Sequence, residues 1–124
     1  MKKHEYVMTL CAGRHETPAQ ACIFKNISDP TDLDSMWNEA WDNIPENCTD
    51  LTVYVTGLTV AMLTVVSVCN QRGITLTARH YNAMSGNYYD QPLTQYTECP
   101  FCHGRVQGYD GYLRVNYCPH CGAT

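Results

Sequence analysis

Up to residue 80, the chain carries apolar and polar side chains in patterns that predict strands alternating with helices. Apolar side chains at helical spacing, from Met36 to Trp41, follow a cluster of helix-starting residues at 29–32. Runs rich in threonine, valine and leucine are typical of strands, and Gly73 is the kind of residue on which a helix commonly ends. The predicted elements are, in chain order, a strand over 5–11, a helix over 33–43, a strand over 51–56, a helix over 59–72 and a strand over 74–80.

This order predicts an α/β fold, because each connection between strands is long enough to contain a helix and such connections join parallel strands. We expect a small Rossmann-like parallel sheet in β-α-β-α-β order. A hairpin centred on 82–87 then leads into a short fourth strand, and Asp90-Gln91-Pro92 predicts the start of a linker. The chain is therefore expected to divide into a Rossmann-like α/β domain over residues 1–93 and a smaller unit over residues 94–124.

Polar and apolar side chains alternate within the second and third predicted strands. Strands that are covered on both faces read as continuous apolar runs, so this alternation indicates a sheet with one polar face, open to solvent, to a second subunit or to the C-terminal unit. The alternative is that threonine suits strands and lies beneath a helix. The polar positions are Thr52, Tyr54, Thr75, Thr77 and Arg79.

Near the C-terminus four cysteines form two Cys-x-x-Cys pairs, Cys99/Cys102 and Cys118/Cys121, separated by fifteen residues. A two-residue spacer turns both sulfurs of a pair toward one point, and two such pairs make the four-thiolate shell of structural Zn²⁺. Proline follows the first cysteine of each pair and presets the turn. With this combination the segment 98–122 resembles the zinc ribbons, which implies a bound zinc ion with a structural role.

Between the pairs, Asp110-Gly111 predicts a hairpin of two short strands. A redox-active pair would stand alone at a helix start, whereas here there are two matched pairs. A disulfide framework is typical of proteins with a signal peptide, and the sequence shows none. Zinc is therefore favoured over both alternatives and over iron. His103 and His120 lie beside the pairs and are alternative ligands. The other cysteines are expected to be buried thiols in a reducing cytosol: Cys11, Cys22, Cys48 and Cys69.

The formal net charge of the chain is −4, and the only run of Lys or Arg is Lys2-Lys3. This balance argues against non-specific nucleic-acid binding, whose affinity comes largely from neutralising phosphates. The longest apolar stretch, around 60–69, is too short to span a bilayer. We therefore expect a cytoplasmic protein without a membrane segment.

Parallel α/β sheets bind ligands beyond the carboxyl ends of their strands. Segment 56–59 combines a turn glycine with hydroxyls at a helix start, where free N–H groups favour an anion. The neighbouring segments contain Arg14, which can make a bidentate contact with phosphate. They also contain His15 and His80, either of which can transfer a proton. The structural alternative is that Thr59 only caps its helix. The candidate ligand-binding residues are Gly13, Arg14, His15, Thr56, Gly57, Thr59 and His80.

Three strings, at 55–61, 76–81 and 86–91, resemble the small Rossmann-like proteins that are associated with CRISPR loci and found also in phages. Those proteins include binders and cleavers of cyclic oligonucleotide messengers of prokaryotic antiviral signalling, and they commonly work as dimers. The resemblance implies a nucleotide ligand lying across Gly13 to His15 and Thr56 to Thr59, and a homodimer. No motif in these strings matches a known catalytic residue.

Two hypotheses of function remain open. In the first, the α/β domain binds a phosphate-bearing nucleotide and zinc only organises the C-terminal unit. In the second, the chain is an interaction module whose zinc ribbon contacts a protein partner, which the acidic charge favours over a nucleic acid. The sequence has no Ser-His-Asp set, paired carboxylates or P-loop, so it does not decide whether the protein is an enzyme.

Overall fold

A computed structural model describes residues 3–12, 17–19, 21–98 and 105–107. The strands and helices of the larger unit are, in chain order, β1 (Glu5–Cys11), β2 (Ala21–Phe24), α1 (Leu33–Asn43), β3 (Asp50–Tyr54), α2 (Thr59–Arg72), β4 (Thr75–Asn82) and β5 (Asn87–Thr94). Two further strands follow, β6 (Tyr96–Glu98) and β7 (Arg105–Gln107). Among the described residues, neither helix is long and apolar enough to cross a membrane.

The α/β class is confirmed, the predicted strands and helices occur in the predicted order with one additional strand between β1 and α1, and both helices have the predicted bounds. Asp32 caps α1 by accepting a hydrogen bond from the backbone N–H of Ser35 (3.2 Å). Gly73 ends α2 with a left-handed backbone, φ +70°. Two sequence predictions are wrong: β2 was missed, and the linker expected at 90–92 lies inside β5, where an edge strand tolerates its proline.

The larger sheet has the strand order β2-β1-β3-β4-β5. The first four of these strands are parallel to their neighbours, and β5 pairs antiparallel with β4. This architecture is compatible with a Rossmann-like fold. Because the chain leaves β1 toward β2 and leaves β3 in the opposite direction toward β4, the carboxyl ends of β1 and β3 flank the topological switch point of the sheet.

Both helices cover the same face of the sheet. The crossovers from β2 to β3 and from β3 to β4 run in one direction across the sheet, and right-handed crossovers then place their helices on one side. Consistent with this, α1 packs against α2. The core between helices and sheet includes the fully buried side chains Leu10, Ile23, Ile44, Leu51, Val53, Val65, Val68, Cys69 and Leu76.

The opposite side of the sheet, which we call the open face, carries no helix in the part of the chain that the structure describes. Val7, Thr52 and Thr77 are register partners on neighbouring strands and therefore share this face. Val7 is 46% exposed there, whereas Leu51 and Leu76 on the helix side are buried. The alternation in the sequence thus reflects two different environments, and the predicted polar face is confirmed.

A β-bulge between Leu76 and Thr77 interrupts the pairing of β4 with β5. The side chain of Thr94 fills it: its hydroxyl donates to the carbonyl of Ile74 (2.8 Å) and accepts from the N–H of Leu76 (2.9 Å). Thr94 is buried, so both hydrogen bonds form away from water. We refer to this arrangement as the Thr94 lock, because a side chain replaces ladder hydrogen bonds that the bulge removes.

Arg72, in the last turn of α2, binds the end of α1. Its guanidinium donates to the carbonyls of Trp41 (3.2 Å) and Ile44 (3.0 Å) through Nη1 and to that of Pro45 through Nη2. The same group lies 5.3 Å from the ring centroid of Trp41. The last carbonyls of a helix have no partners within that helix, so Arg72 satisfies them from outside.

Strands β6 and β7 form a separate two-stranded antiparallel sheet, in which Glu98 pairs with Arg105. The chain enters it past Tyr96, whose N–H donates to the hydroxyl of Thr75 (2.8 Å) and whose carbonyl accepts from that hydroxyl (3.2 Å). Thr75 begins β4, so the C-terminal unit starts at the amino end of the parallel strands. The hairpin predicted at 110–111, all four cysteines predicted to bind zinc, His103 and His120 lie outside the described residues.

Candidate functional site

An open cleft of about 790 Å³ lies at the carboxyl ends of β3 and β4, along the hairpin to β5. Four of its wall residues are tyrosines, and we call it the tyrosine cleft. A smaller depression of about 420 Å³, which shares Tyr54, Arg79, Tyr88 and Tyr89 with it, continues toward Asp90. The main walls of the tyrosine cleft are Tyr54, Arg79, His80, Tyr81, Tyr88 and Tyr89, with Thr56 beside them.

Tyr54, the last residue of β3, lies at the centre of the cleft and is only 6% exposed. The ring of Tyr88 meets it edge to face, with centroids 5.0 Å apart, and Tyr81 contacts Tyr88 at 5.2 Å. Because Tyr81 and Tyr88 are themselves half-exposed, the cluster has a packed base on the sheet and an aromatic rim open to a ligand.

Arg79 lies beside Tyr54 on β4 and is locked to Asp90 of β5. Its Nε donates to Oδ1 of Asp90 (2.7 Å) and its Nη2 to Oδ2 (3.0 Å), a bidentate pair between register partners. These hydrogen bonds hold the pKa of the Asp90 carboxyl below its ordinary value. Nη1 also donates to the Tyr54 hydroxyl (3.4 Å). Three of the five guanidinium N–H groups thus have acceptors among the described residues, and two have none there.

His80 follows Arg79 on β4 and therefore points to the other side of the strand. Its ring stacks on that of its register partner Tyr89, with centroids 5.2 Å apart. A hydrogen bond of 2.8 Å joins its Nε2 to Oε1 of Gln91. Two residues of β5 therefore fix the orientation of the imidazole and leave Nδ1 as its second polar atom.

Thr56 connects the carboxyl ends of β3 and β1 across the switch point. Its buried hydroxyl accepts from the N–H of Cys11 (3.2 Å) and donates to the carbonyl of Cys11 (3.0 Å). Next to it, Gly57 has φ +89°, a left-handed conformation that favours glycine. The main contribution of Thr56 is therefore to hold two strand ends together at the margin of the cleft.

We expect Thr56→Val to destabilise the fold by about 1–3 kcal/mol, because it removes two buried hydrogen bonds while conserving volume. Urea denaturation of the parent and of the variant measures the difference in the free energy of unfolding, with one slope of that free energy against urea concentration fitted to both. Thr59→Val is the matched control: Thr59 is exposed, so its substitution is expected to stay within about 0.5 kcal/mol of the parent. Equal losses in the two variants would contradict the bridging role of Thr56.

Helix α2 begins at Thr59 with Leu58 at the N-cap position, and no side chain of the described residues caps it. The alternative that Thr59 serves as a cap is therefore not what the structure shows. Without a side-chain cap, the first N–H groups of α2 keep the positive end of the helix dipole available to an anion. This helix start comes three residues after Thr56, which lines the tyrosine cleft.

A second, smaller pocket of about 130 Å³ lies on the other side of the switch point. It is bounded by the end of β1 at Cys11 and Ala12, by Phe24 and Lys25 after β2, and by Leu58 before α2. The predicted ligand residues Gly13, Arg14 and His15 follow Ala12 directly in the chain and lie outside the described residues. The structure thus gives the position at which that segment leaves the sheet.

Of the seven candidate ligand residues, the structure brings Thr56 and His80 to one cleft, whereas Gly57 and Thr59 follow Thr56 in the chain and do not line it. Sequence reasoning missed the residues that dominate the cleft. Tyr54 and Arg79 carried a signal, since both are polar positions of alternating strands and end on the same face. The hairpin residues carried none, because their placement depends on the register of β5: Tyr88, Tyr89 and Asp90.

Within the described residues no group of three or more His, Cys, Asp or Glu side chains is placed to hold a metal ion. Cys11, Cys48 and Cys69 are buried, as predicted, whereas Cys22 is only half-buried. Burial raises the pKa of the Cys69 thiol to about 12, with the nearby Cys48 adding to the effect. At neutral pH the thiol of Cys69 is therefore protonated and a poor nucleophile.

In comparisons with known proteins, no family model, no curated protein and no solved structure matched this chain. Its function is therefore inferred from the residues of the site.

Proposed function

We propose that this protein binds a phosphate-bearing nucleotide, with the base in the tyrosine cleft and the phosphate at the start of α2. One observation carries the proposal: an aromatic cleft at the carboxyl ends of β3 and β4 is lined by Thr56, three residues before a helix start that no side chain of the described residues caps. A nucleotide has the same two parts, a flat aromatic base and an anionic group a short distance from it.

The base-binding side of the site is formed by tyrosines. Tyr81 and Tyr88, register partners on one side of the β4–β5 pair, are 57% and 41% exposed, so their rings are accessible. Stacking of a base on an aromatic side chain contributes about 1–3 kcal/mol and tolerates different bases.

The phosphate-binding side combines the α2 start with Arg79. Backbone N–H groups at a helix start point toward an anion, and Gly57 lets the backbone approach it closely. The two remaining N–H groups of Arg79 are oriented by Asp90, although the same carboxylate reduces the net positive charge. We therefore propose that Arg79 orients the ligand and that the helix start supplies most of the attraction for phosphate.

A cyclic oligonucleotide is the ligand class that the sequence resemblance implies, and a homodimer is the assembly it implies. Both belong to the proposal. No catalytic step is assigned, because the described site holds an oriented imidazole at His80 but no nucleophile or base paired with it.

Zinc binding by the C-terminal unit is the second part of the proposal, with Cys99, Cys102, Cys118 and Cys121 as ligands. The pairing of Glu98 with Arg105 supports it, because it joins the two ends of the segment that contains the first cysteine pair. Four thiolates suit Zn²⁺, and a closed four-ligand site has a structural role rather than a catalytic one. Bound zinc would supply folding energy to this short unit.

A thermal-shift experiment with linear and cyclic nucleotides tests the nucleotide proposal. Ligand at about 100 times its Kd stabilises the folded state by about 2.7 kcal/mol and raises the midpoint by several degrees. The double variant Tyr81→Ala/Tyr88→Ala is expected to weaken binding about tenfold or more, because it removes two aromatic rings that project from one side of the β4–β5 pair.

Leu63→Ala is the control for that variant, since Leu63 is 63% exposed on α2 outside the cleft. It is expected to leave the shift unchanged. Absence of a shift with every nucleotide, or a shift of equal size in the cleft variant, would contradict the proposed function.

A second candidate function is an interaction module in which the zinc ribbon contacts a protein partner. It is favoured by the position of Tyr96, whose bonds to Thr75 fix the start of the C-terminal unit at the amino end of β4. The tyrosine cleft lies at the carboxyl end of the same strand, so ligand binding and partner binding would occupy opposite ends of the sheet. Loss of partner capture on truncation before Cys99, with no nucleotide shift, would support this alternative.

A further inference from the structure

Helix α1 carries an apolar line of Leu33, Trp37 and Trp41, spaced four residues apart along its surface. Leu33 is 55% and Trp41 is 38% exposed, while Trp37 packs partly against the core. The two indoles stack, with ring centroids 4.9 Å apart and planes inclined by 21°. We call this line the tryptophan face.

Negative charge surrounds the tryptophan face. Residues 29–50 hold seven of the twelve acidic side chains of the protein and no Lys or Arg. Asp34 is the next residue after Leu33, and Asp42 is the next residue after Trp41. Each carboxylate therefore lies about 100° around the helix from that neighbour, at the side of the tryptophan face. Both are exposed. An accessible aromatic strip bordered by carboxylates is complementary to a side chain that combines an apolar stem with a cationic head.

The protein already places one such side chain on this face. The guanidinium of Arg72 lies 5.3 Å from the ring centroid of Trp41 and donates to carbonyls at the end of α1. Among cation–π pairs of side chains, arginine with tryptophan is the most favoured. The contact shows that guanidinium chemistry suits the C-terminal end of the tryptophan face, whereas the end near Leu33 has no equivalent cation among the contacts of the described residues.

We propose that the tryptophan face docks a basic peptide segment of a partner protein. Arginine or lysine side chains of the segment lie along Leu33, Trp37 and Trp41, and their charges face Asp34 and Asp42. A second copy of this chain is a poor occupant, because its eight Lys and Arg residues form no run beyond Lys2-Lys3. Nucleic acids and anionic membranes are repelled by the same carboxylates. This inference does not depend on the nucleotide site.

Tryptophan fluorescence tests the proposal directly, because Trp37 and Trp41 are the only tryptophans in the chain. Titration with an octa-arginine peptide at low ionic strength is expected to give a saturable change in emission, with octa-lysine binding more weakly. A neutral glycine-serine peptide of the same length is expected to give none. Added salt is expected to weaken the arginine complex several-fold, since it screens exposed charges.

Matched variants separate docking from general attraction. Asp42→Asn and Glu5→Gln each remove one exposed negative charge, the first beside the tryptophan face and the second on β1. We expect at least a threefold loss of affinity for Asp42→Asn and less than a 1.5-fold loss for Glu5→Gln, the latter being the scale of a distant, screened charge. Trp41→Phe, with its midpoint of unfolding checked by circular dichroism, is expected to weaken binding and retain the fold.

Equal losses of affinity for Asp42→Asn and Glu5→Gln would overturn the proposal, since they would show attraction to net charge alone. So would the absence of any emission change with octa-arginine at low ionic strength. Concentration-dependent dimerisation abolished by Trp41→Phe would assign the surface to a second copy instead and would equally overturn it.

Discussion

Freshly purified, reduced protein is expected to carry one zinc ion per chain, and chelation of that ion is expected to unfold the C-terminal unit while the larger sheet persists. A unit of about 27 residues buries too little apolar surface to fold alone. Zinc bound by four thiolates contributes roughly 10–16 kcal/mol of folding free energy in small domains at neutral pH. Because the larger sheet has its own core, we expect its stability to be independent of zinc.

Elemental analysis measures the metal, and circular dichroism with a chelator measures its effect on folding. Cys99→Ser or Cys118→Ser is expected to abolish stoichiometric zinc. Cys22→Ser is the matched control, because Cys22 lies on β2 in the larger sheet and is not a proposed ligand. Zinc-free wild-type protein, or equal loss of zinc in the control, would contradict the assignment.

Replacement of Arg72 by alanine is expected to lower the free energy of unfolding by about 2–4 kcal/mol. A hydrogen bond with a charged partner contributes about 1.5–3 kcal/mol when it is buried, and Arg72 makes three to the end of α1. Partial exposure of the side chain reduces each contribution, whereas loss of packing on Trp41 adds to the total. The substitution therefore separates α1 from α2 at their shared end.

Urea denaturation followed by tryptophan emission measures this loss, and Trp41 reports directly on the environment of Arg72. Arg72→Lys is expected to recover less than half of the stability, because an ammonium cannot reach three carbonyls in the geometry of the guanidinium fork. Gln71→Ala, at the exposed neighbouring position, is expected to change stability by less than about 0.5 kcal/mol. A loss of that small size for Arg72→Ala would refute the bridging role.

The elements with strong local signals were predictable from the sequence. Helix α1 has a capping aspartate at Asp32 and α2 ends on a left-handed Gly73, so both helices have the predicted bounds. The parallel pairing of β1, β3 and β4 followed from crossovers that hold helices. Strand β2 has only four residues, too few for a pattern of alternation, and it forms because the edge of β1 is available for pairing.

The position of the cleft was predictable, but its composition was not. The rule that ligands bind at the carboxyl ends of parallel strands led to Thr56 and His80, which lie at the cleft. The pairing of Arg79 with Asp90 is a property of the antiparallel register, which includes a bulge that no local sequence pattern marks. Asp90 and Pro92 lie in β5, although aspartate and proline are residues typical of turns. Pairing with β4 therefore overrode their local preference.

Because the Thr94 lock holds the far end of the β4–β5 pair, the register of the two strands does not depend on the length of the turn that joins them. A one-residue slip of β5 would move Tyr88 and Asp90 to the opposite side of the sheet, and Thr94 opposes it from the far end of the strand. The tip at residues 83–86 is exposed and has no part in that anchoring. Ala83 lines the cleft, so insertions between Met84 and Gly86 are the ones compatible with an intact cleft, and this part of the tip is where evolution or an engineer can graft new loops onto the scaffold.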